Sequence, residues 1–185
     1  MEITKEYELE QDDCVKRNLK GYEKNIKDPV TQKRLNTLKD FCIDAATIIS
    51  VGSGAFEPVF LHATHAVDIP LCTFFLLKDK GWKGEFFQAS CDHLPFASQL
   101  FDVAVCSEVI EHLPDLETVR KTFQELSRIA KRWIVTTPIR DCGEPTHKFI
   151  FTEAQLAELS QGLNATIETS DFYFYVHNDK RAILS

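Results

Sequence analysis

The chain has 185 residues, 44% of them apolar and 26% charged, with a mean hydropathy of −0.19. That is ordinary globular composition with enough chain for one sizeable core, and it excludes a fibrous or low-complexity protein. The 28 acidic against 21 basic residues leave a net charge of −7, which argues against a broad nucleic-acid surface, since phosphates need clustered Lys and Arg. No apolar run approaches the roughly 20 residues of a membrane span, and the opening MEITKEYELEQDD is charged rather than signal-like, so a cytoplasmic chain without membrane contact is expected.

Residues 1–45 read as an N-terminal helical extension. They are highly charged until Asp28-Pro29, an N-cap followed by a first-turn proline, after which Val30, Leu35, Leu38, Phe41 and Cys42 recur at helical spacing. Laid against the rest, this extension is placed to cover a ligand, with Tyr7 and Tyr22 as candidates to shape the cover. From residue 46 onward, short apolar runs alternate with helical stretches. TIISV ends in Gly-Ser-Gly, and THAVDI follows a connection with room for about two helical turns. A helix is expected over 70–80, then EFFQA and FDVAVC as strands, a helix over 115–131, and RWIVTTP as the fifth strand. A Thr-capped helix over 152–160 precedes a tail that reads as one or two final strands. Within that tail, the run Phe172-Tyr173-Phe174-Tyr175 reads as an alternating strand with one packed face. The expected architecture is a doubly wound, Rossmann-like α/β domain over 46–185, its mostly parallel seven-stranded sheet covered by helices on both faces. The six cysteines, Cys14, Cys42, Cys72, Cys91, Cys106 and Cys142, form no C-x-x-C pair and are expected to be reduced thiols.

In such sheets ligands bind beyond the carboxyl ends of the strands, so the residues just after each apolar run are the candidates. Gly52-Ser53-Gly54 follows the first strand, where glycine lets backbone approach a ligand; a plain tight turn has the same spelling. Asp68 ends the second strand, where a carboxylate can accept both hydroxyls of a ribose. Together they leave several nucleotide folds open.

The stretch CDHLPFASQLFDVAVCSEVIEHLPD, residues 91–115, narrows this. It resembles the segment between strand three and helix four of class I S-adenosylmethionine (SAM)-dependent methyltransferases of the small-molecule, ubiquinone type. Leu94-Pro95-Phe96, Phe101-Asp102 and Ser107 to Leu113 carry the likeness, which extends over roughly 47–160. The resemblance implies SAM as cofactor and a small-molecule acceptor methylated on oxygen or nitrogen. It further implies that Ser50, Gly52, Ser53 and Gly54 line the methionine part, Asp68 and Ile69 the ribose, Ser90, Cys91 and Asp92 the adenine edge, and Ser107 the sulfonium side. His112 is then the candidate general base, oriented by Glu111 or Glu108. Three positions depart from the family pattern: Ser50 in place of an acidic residue, Phe56 in place of a third glycine, and Ser90 in place of Asp. They motivate a rival expectation, a methyltransferase fold that binds but no longer catalyses.

Glu108, Glu111 and His112 are spaced to share one helical face, and His147 follows strand five. The set resembles the metal site of small-RNA 2′-O-methyltransferases and implies, as a weaker alternative, a Mn²⁺- or Mg²⁺-dependent RNA enzyme. The bland alternative assigns no metal, since Glu-His-Leu also occurs in metal-independent relatives. His62, His65, His93 and His177 have no spaced carboxylate partner and are expected at the surface or core edge.

Overall fold

The computed structural model describes residues 27–184. Tyr7, Tyr22 and Cys14, with most of the expected extension, lie outside them. Helix α1, Pro29–Phe41, begins as its sequence dictates: the Asp28 carboxylate accepts from Thr31 N (2.8 Å) and Pro29 occupies the first turn. After it come β1 (Ile48–Val51), α2 (Glu57–Phe60), β2 (His65–Asp68), α3 (Cys72–Asp79), β3 (Glu85–Gln88) and β4 (Phe101–Ser107). A 3₁₀ turn, Ile110–His112, leads to α4 (Leu116–Ile129), β5 (Ala130–Pro138), α5 (Glu153–Leu159), β6 (Thr166–Thr169) and β7 (Tyr173–His177). Asp115 caps α4, and Thr152 with Gln155 forms the capping box of α5.

The seven strands lie in the order β3-β2-β1-β4-β5-β7-β6, parallel except for β7, which runs antiparallel to both neighbours. The order reverses between β1 and β4, so the crevice at the topological switch point opens between their carboxyl ends. The period-2 alternation of the strands feeds two cores. Ile49, Val51, Ala104, Cys106, Trp133, Val135 and Phe174 pack under α4 with Phe123 and Leu126. Ile48, Val103, Val105, Ile134 and Tyr175 pack on the opposite face under Leu38 and Phe41 of α1.

Four sequence expectations change. The connection after the glycine loop holds a single helical turn, α2, rather than two. Strand β7 packs both faces, not one: Tyr173 and Tyr175 meet the α1 side, while Phe174 and Val176 meet the α4 side. This follows from its place between β5 and β6, inside the sheet. His177 is fully buried and its Nε2 meets Glu168 Oε1 at 3.0 Å, a partner supplied by strand pairing that local spacing could not show. Cys72 is disulfide-bonded, whereas Cys42, Cys91, Cys106 and Cys142 are free. Among the described residues no helix is long and apolar enough to cross a membrane.

Phe123 is fully buried, with its ring edge-on to Trp133 at 5.7 Å. Phe123→Ala is expected to cost about 3–5 kcal/mol, read as a lowered urea midpoint at unchanged m-value.

Candidate active site

The carboxyl edge is built first by the loop after β1. Gly52 and Gly54 both have positive φ (+67° and +50°), and Gly52 N and Ser53 N donate to Val67 O at 2.9 and 3.1 Å. A Cβ at Gly52 would fall 2.5 Å from Val109 Cγ2, so glycine there lets the post-β1 loop nest under the post-β4 loop. Phe56 is in ordinary right-handed conformation (φ −116°) with its ring 5.8 Å from that of Phe60, so no glycine is required at that position. Asp68, ending β2, accepts from Gly54 N (3.0 Å) and Thr73 Oγ1 (3.0 Å) on one oxygen and from Ile69 N (2.8 Å) on the other. The Ile69 side chain itself is exposed. After β3, the Ser90 hydroxyl is tightly bonded to Asp92 Oδ1, which puts the carboxylate missing at position 90 within reach two residues on. Cys91 is buried and bonded to Thr122.

The end of β4 carries the charged part of the site. Ser107 Oγ meets Thr136 Oγ1 of β5 at 2.7 Å and receives Arg34 Nη1 of α1 at 2.8 Å. Glu108 is held in left-handed conformation (φ +57°), with its Oε1 3.2 Å from Thr136 Oγ1 and 3.3 Å from Arg34 Nη1. Arg34 Nη2 lies 3.7 Å from Glu57 Oε1 at the first position of α2, and its guanidinium sits 5.2 Å from the Tyr173 ring centroid. Burial raises the Glu57 carboxyl to about 7 and raises Glu108 as well, in both cases partly offset by the Arg34 charge.

One turn on, Glu111 is fully buried; Oε2 accepts from Thr137 Oγ1 (3.2 Å), while Oε1 has no partner among the described residues. Burial, reinforced by the charge of Glu108, lifts its carboxyl to about 8. His112 Nδ1 lies 3.0 Å from Thr146 Oγ1 and 3.3 Å from Thr146 O, and the ring stands edge-on to His147 at 4.7 Å. Burial holds this imidazole below its usual range. Glu111, His112 and His147 offer ligand atoms within 4.8 Å of one another.

Residues 49–133, just under half of the chain, match the methyltransferase-domain family model. That stretch is thus similar to a methyltransferase domain, and the fold is one that SAM-dependent methyltransferases share. Magnesium protoporphyrin IX methyltransferase from Synechocystis PCC 6803, solved with bound S-adenosylhomocysteine (SAH), aligns over 91% of this chain and 96% of its own with a TM-score of 0.69 at 14% identity. A SAM-dependent methyltransferase from Clostridium acetobutylicum gives 0.65 at 13% identity over 89% and 98% of the two chains. The [4+2]-cyclase SpnF gives 0.60 at 17% identity, over 74% of this chain and 57% of its own. No curated protein sequence matches the chain.

The residues present fit the methyltransferase donor. The hydroxyls of Ser50 and Ser53 are buried without partners among the described residues, no atom lies within 4 Å of where a Gly54 Cβ would be, and the two Asp68 oxygens accept three bonds where about four sites exist. The expectation that Glu108, Glu111 and His112 share one face is corrected. Glu108 precedes the 3₁₀ turn in left-handed conformation and turns toward Arg34, leaving Glu111 and His112 with His147. Nor does a glutamate orient His112 through Nδ1; Thr146 does. Arg34 and Glu57 were not among the sequence candidates, although Arg34 sits one turn before Leu38 on the apolar face of α1, a placement that marks a buried cation.

Two outcomes follow. Gly52→Ala should cost at least ~2 kcal/mol through both the Val109 clash and the positive φ, whereas Gly54→Ala should cost only the conformational ~1 kcal/mol, both read by urea denaturation. Because the folded Glu111 carboxyl holds its proton up to about 8, the folded state binds more protons than the unfolded state between roughly pH 4.5 and 8, and stability falls across that window. Glu111→Gln should flatten this part of the pH–stability curve measured with chelator present.

Proposed function

We propose that this methyltransferase moves the methyl group of SAM to an oxygen or nitrogen of a small-molecule acceptor. The observation that carries the reading is the joining of the glycine loop, Asp68 and the Ser90–Asp92 pair along one carboxyl edge, beside the buried Ser107 at the end of β4 and the half-buried Glu108 that follows it. Gly52 and Gly54 give the donor close backbone approach, Asp68 takes a ribose hydroxyl at its remaining acceptor site, and Asp92, backed by Ser90, takes the adenine edge. When bound, SAM supplies an activated methyl group and leaves as a neutral thioether. The chain contributes position and proton management. In the tautomer whose Nδ1–H donates to Thr146 O, His112 carries its lone pair on Nε2, and its lowered proton affinity keeps it neutral and ready to take the acceptor's proton. A cavity of about 230 Å³ lined by Val30, Lys33, Arg34, Phe172, Tyr173 and Tyr175 adjoins Arg34 and suits a small acceptor with aromatic or apolar character.

A second reading is metal-dependent transfer to a ribose hydroxyl of RNA, favoured by the grouping of Glu111, His112 and His147. One carboxylate and two imidazoles suit Mn²⁺ better than Mg²⁺.

Calorimetric titration of the full chain with SAM should show saturable binding that Asp68→Ala weakens at least about tenfold, given the loss of charged hydrogen bonds. Absence of binding at millimolar SAM overturns the reading. Titration with Mn²⁺ separates the two forms: micromolar binding lost in His147→Ala supports the metal-dependent one, and no Mn²⁺ binding removes it.

A further inference from the structure

The loop after β3 carries the Ser90–Asp92 pair, and α4 fastens that loop at Cys91, Leu94, Phe96 and Gln99. Thr122 Oγ1 donates to Cys91 Sγ at 3.3 Å. Glu125 Oε2 accepts from Leu94 N at 2.6 Å. Arg128 Nη2 donates to Leu94 O at 3.0 Å and Nη1 to Phe96 O at 2.6 Å. Gln99, left-handed at φ +56°, donates from Nε2 to Ser127 O at 3.0 Å and Ala130 O at 3.1 Å, and from its backbone N to Arg128 O at 2.8 Å. Carbonyls at a helix end have no partner inside the helix, so Gln99 closes α4.

Thr122, Glu125 and Arg128 are spaced to share one face of α4, which thus runs beside residues 91–99. Apolar packing sets how deep the loop sits: Leu94 is buried, and the Phe96 ring stands edge-on to Phe87 at 4.9 Å and to Phe101 at 5.1 Å. Such packing is non-directional. Hydrogen bonds are directional, and Glu125 and Arg128 hold both backbone groups of Leu94, close in sequence to Asp92. The two side chains are forked together, Arg128 Nε to Glu125 Oε1 at 2.6 Å and Nη2 to Oε2 at 2.8 Å, which fixes one geometry for the pair. An ion pair at this spacing near a helix surface adds little to the helix itself. Its distinctive contacts are those with the loop.

We infer that Glu125 and Arg128 are positioning residues: they hold the Leu94 backbone so that the Asp92 carboxylate stays aimed at the adenine amino group. The inference rests on the assignment of Asp92 to the adenine edge proposed above. Ser90 steadies Asp92 from within the loop, and the α4 pair steadies the loop itself. Aim matters because a hydrogen bond weakens steeply once it leaves line, so a small turn of the loop costs recognition without unfolding anything. The same helix starts shortly after His112, so one element ties the adenine side to the loop bearing the proposed base.

The test compares SAH with S-inosylhomocysteine, which presents a carbonyl oxygen where adenine presents its amino group. In calorimetry on the full chain, the wild type should prefer SAH by about 10- to 100-fold. Arg128→Met should weaken SAH about tenfold while leaving S-inosylhomocysteine within about twofold, so that the preference falls. In a chain that already carries Asp92→Ala, Arg128→Met should lower the preference no further. Arg128→Lys, which keeps the charge but loses the planar fork, should fall between wild type and Arg128→Met, and carries the comparison should Arg128→Met not fold. Equal weakening of both ligands by these variants, or an unchanged preference, overturns the positioning role and leaves Asp92 on the adenine. A wild-type chain that binds the two ligands equally overturns the Asp92 assignment and the inference with it. One that binds neither overturns the donor reading as well.

Discussion

The buried guanidinium of Arg34 is the interaction on which the carboxyl edge depends. It reaches from α1 to Ser107 and Glu108 at the end of β4, to Glu57 at the start of α2, and lies over the Tyr173 ring of β7. Withdrawing a guanidinium and two carboxylates from water is expensive, and the attraction among them offsets that cost only while all three are present. Helix α1 is therefore no removable cover. Without it, Glu57 and the half-buried Glu108 would lack their cation, although α1 lies outside the stretch that matches the family model.

The same cluster explains how the loop after β4 keeps an uncommon backbone. A left-handed Glu108 costs of order 1 kcal/mol, and such a residue persists only where its surroundings over-determine it. Here Arg34 and Thr136 hold its side chain, while Glu108 N donates to Thr136 O at 3.0 Å. The reversal at Glu108 points Val109 at the glycine loop, where Gly52 makes room for it, and starts the 3₁₀ turn that presents Glu111 and His112. Two loops far apart in sequence thus set one another's shape.

Much of this was legible in the sequence because it was local or periodic. Apolar runs gave the first five strands and left one or two for the tail, Asp28 and Thr152 announced their helices, apolar spacing gave α4, and the Leu94-Pro95-Phe96 to Leu113 stretch led to the fold. What was not legible came from the third dimension. Arg34 spells like any surface arginine until α1 is docked. Glu57 looks like a solvated helix start until β4 closes over it. The pairing of His177 with Glu168 depends on strand register. The i, i+3, i+4 spacing of Glu108, Glu111 and His112 misled because spacing assumes a continuous helix, and one left-handed residue breaks that assumption.

The fold alone does not name the reaction, since a [4+2]-cyclase shares it. The proton affinities gathered at this edge suit the proposed transfer to a protic acceptor. Burial brings Glu57 to about 7 and Glu111 to about 8, while it lowers His112 from its ordinary value. Burial thereby inverts the usual order, leaving two carboxyls that hold their protons up to near neutrality beside an imidazole that gives its proton up more readily than usual. A neutral imidazole, and carboxyls whose proton affinity lies near the operating pH, are both groups that can take a proton from an acceptor near pH 7. An acceptor oxygen or nitrogen must shed a proton when it gains a methyl group, whereas a sulfide or tertiary amine has none to lose. A site whose burial keeps the imidazole neutral and lifts two carboxyls toward pH 7 is suited to the first kind of acceptor.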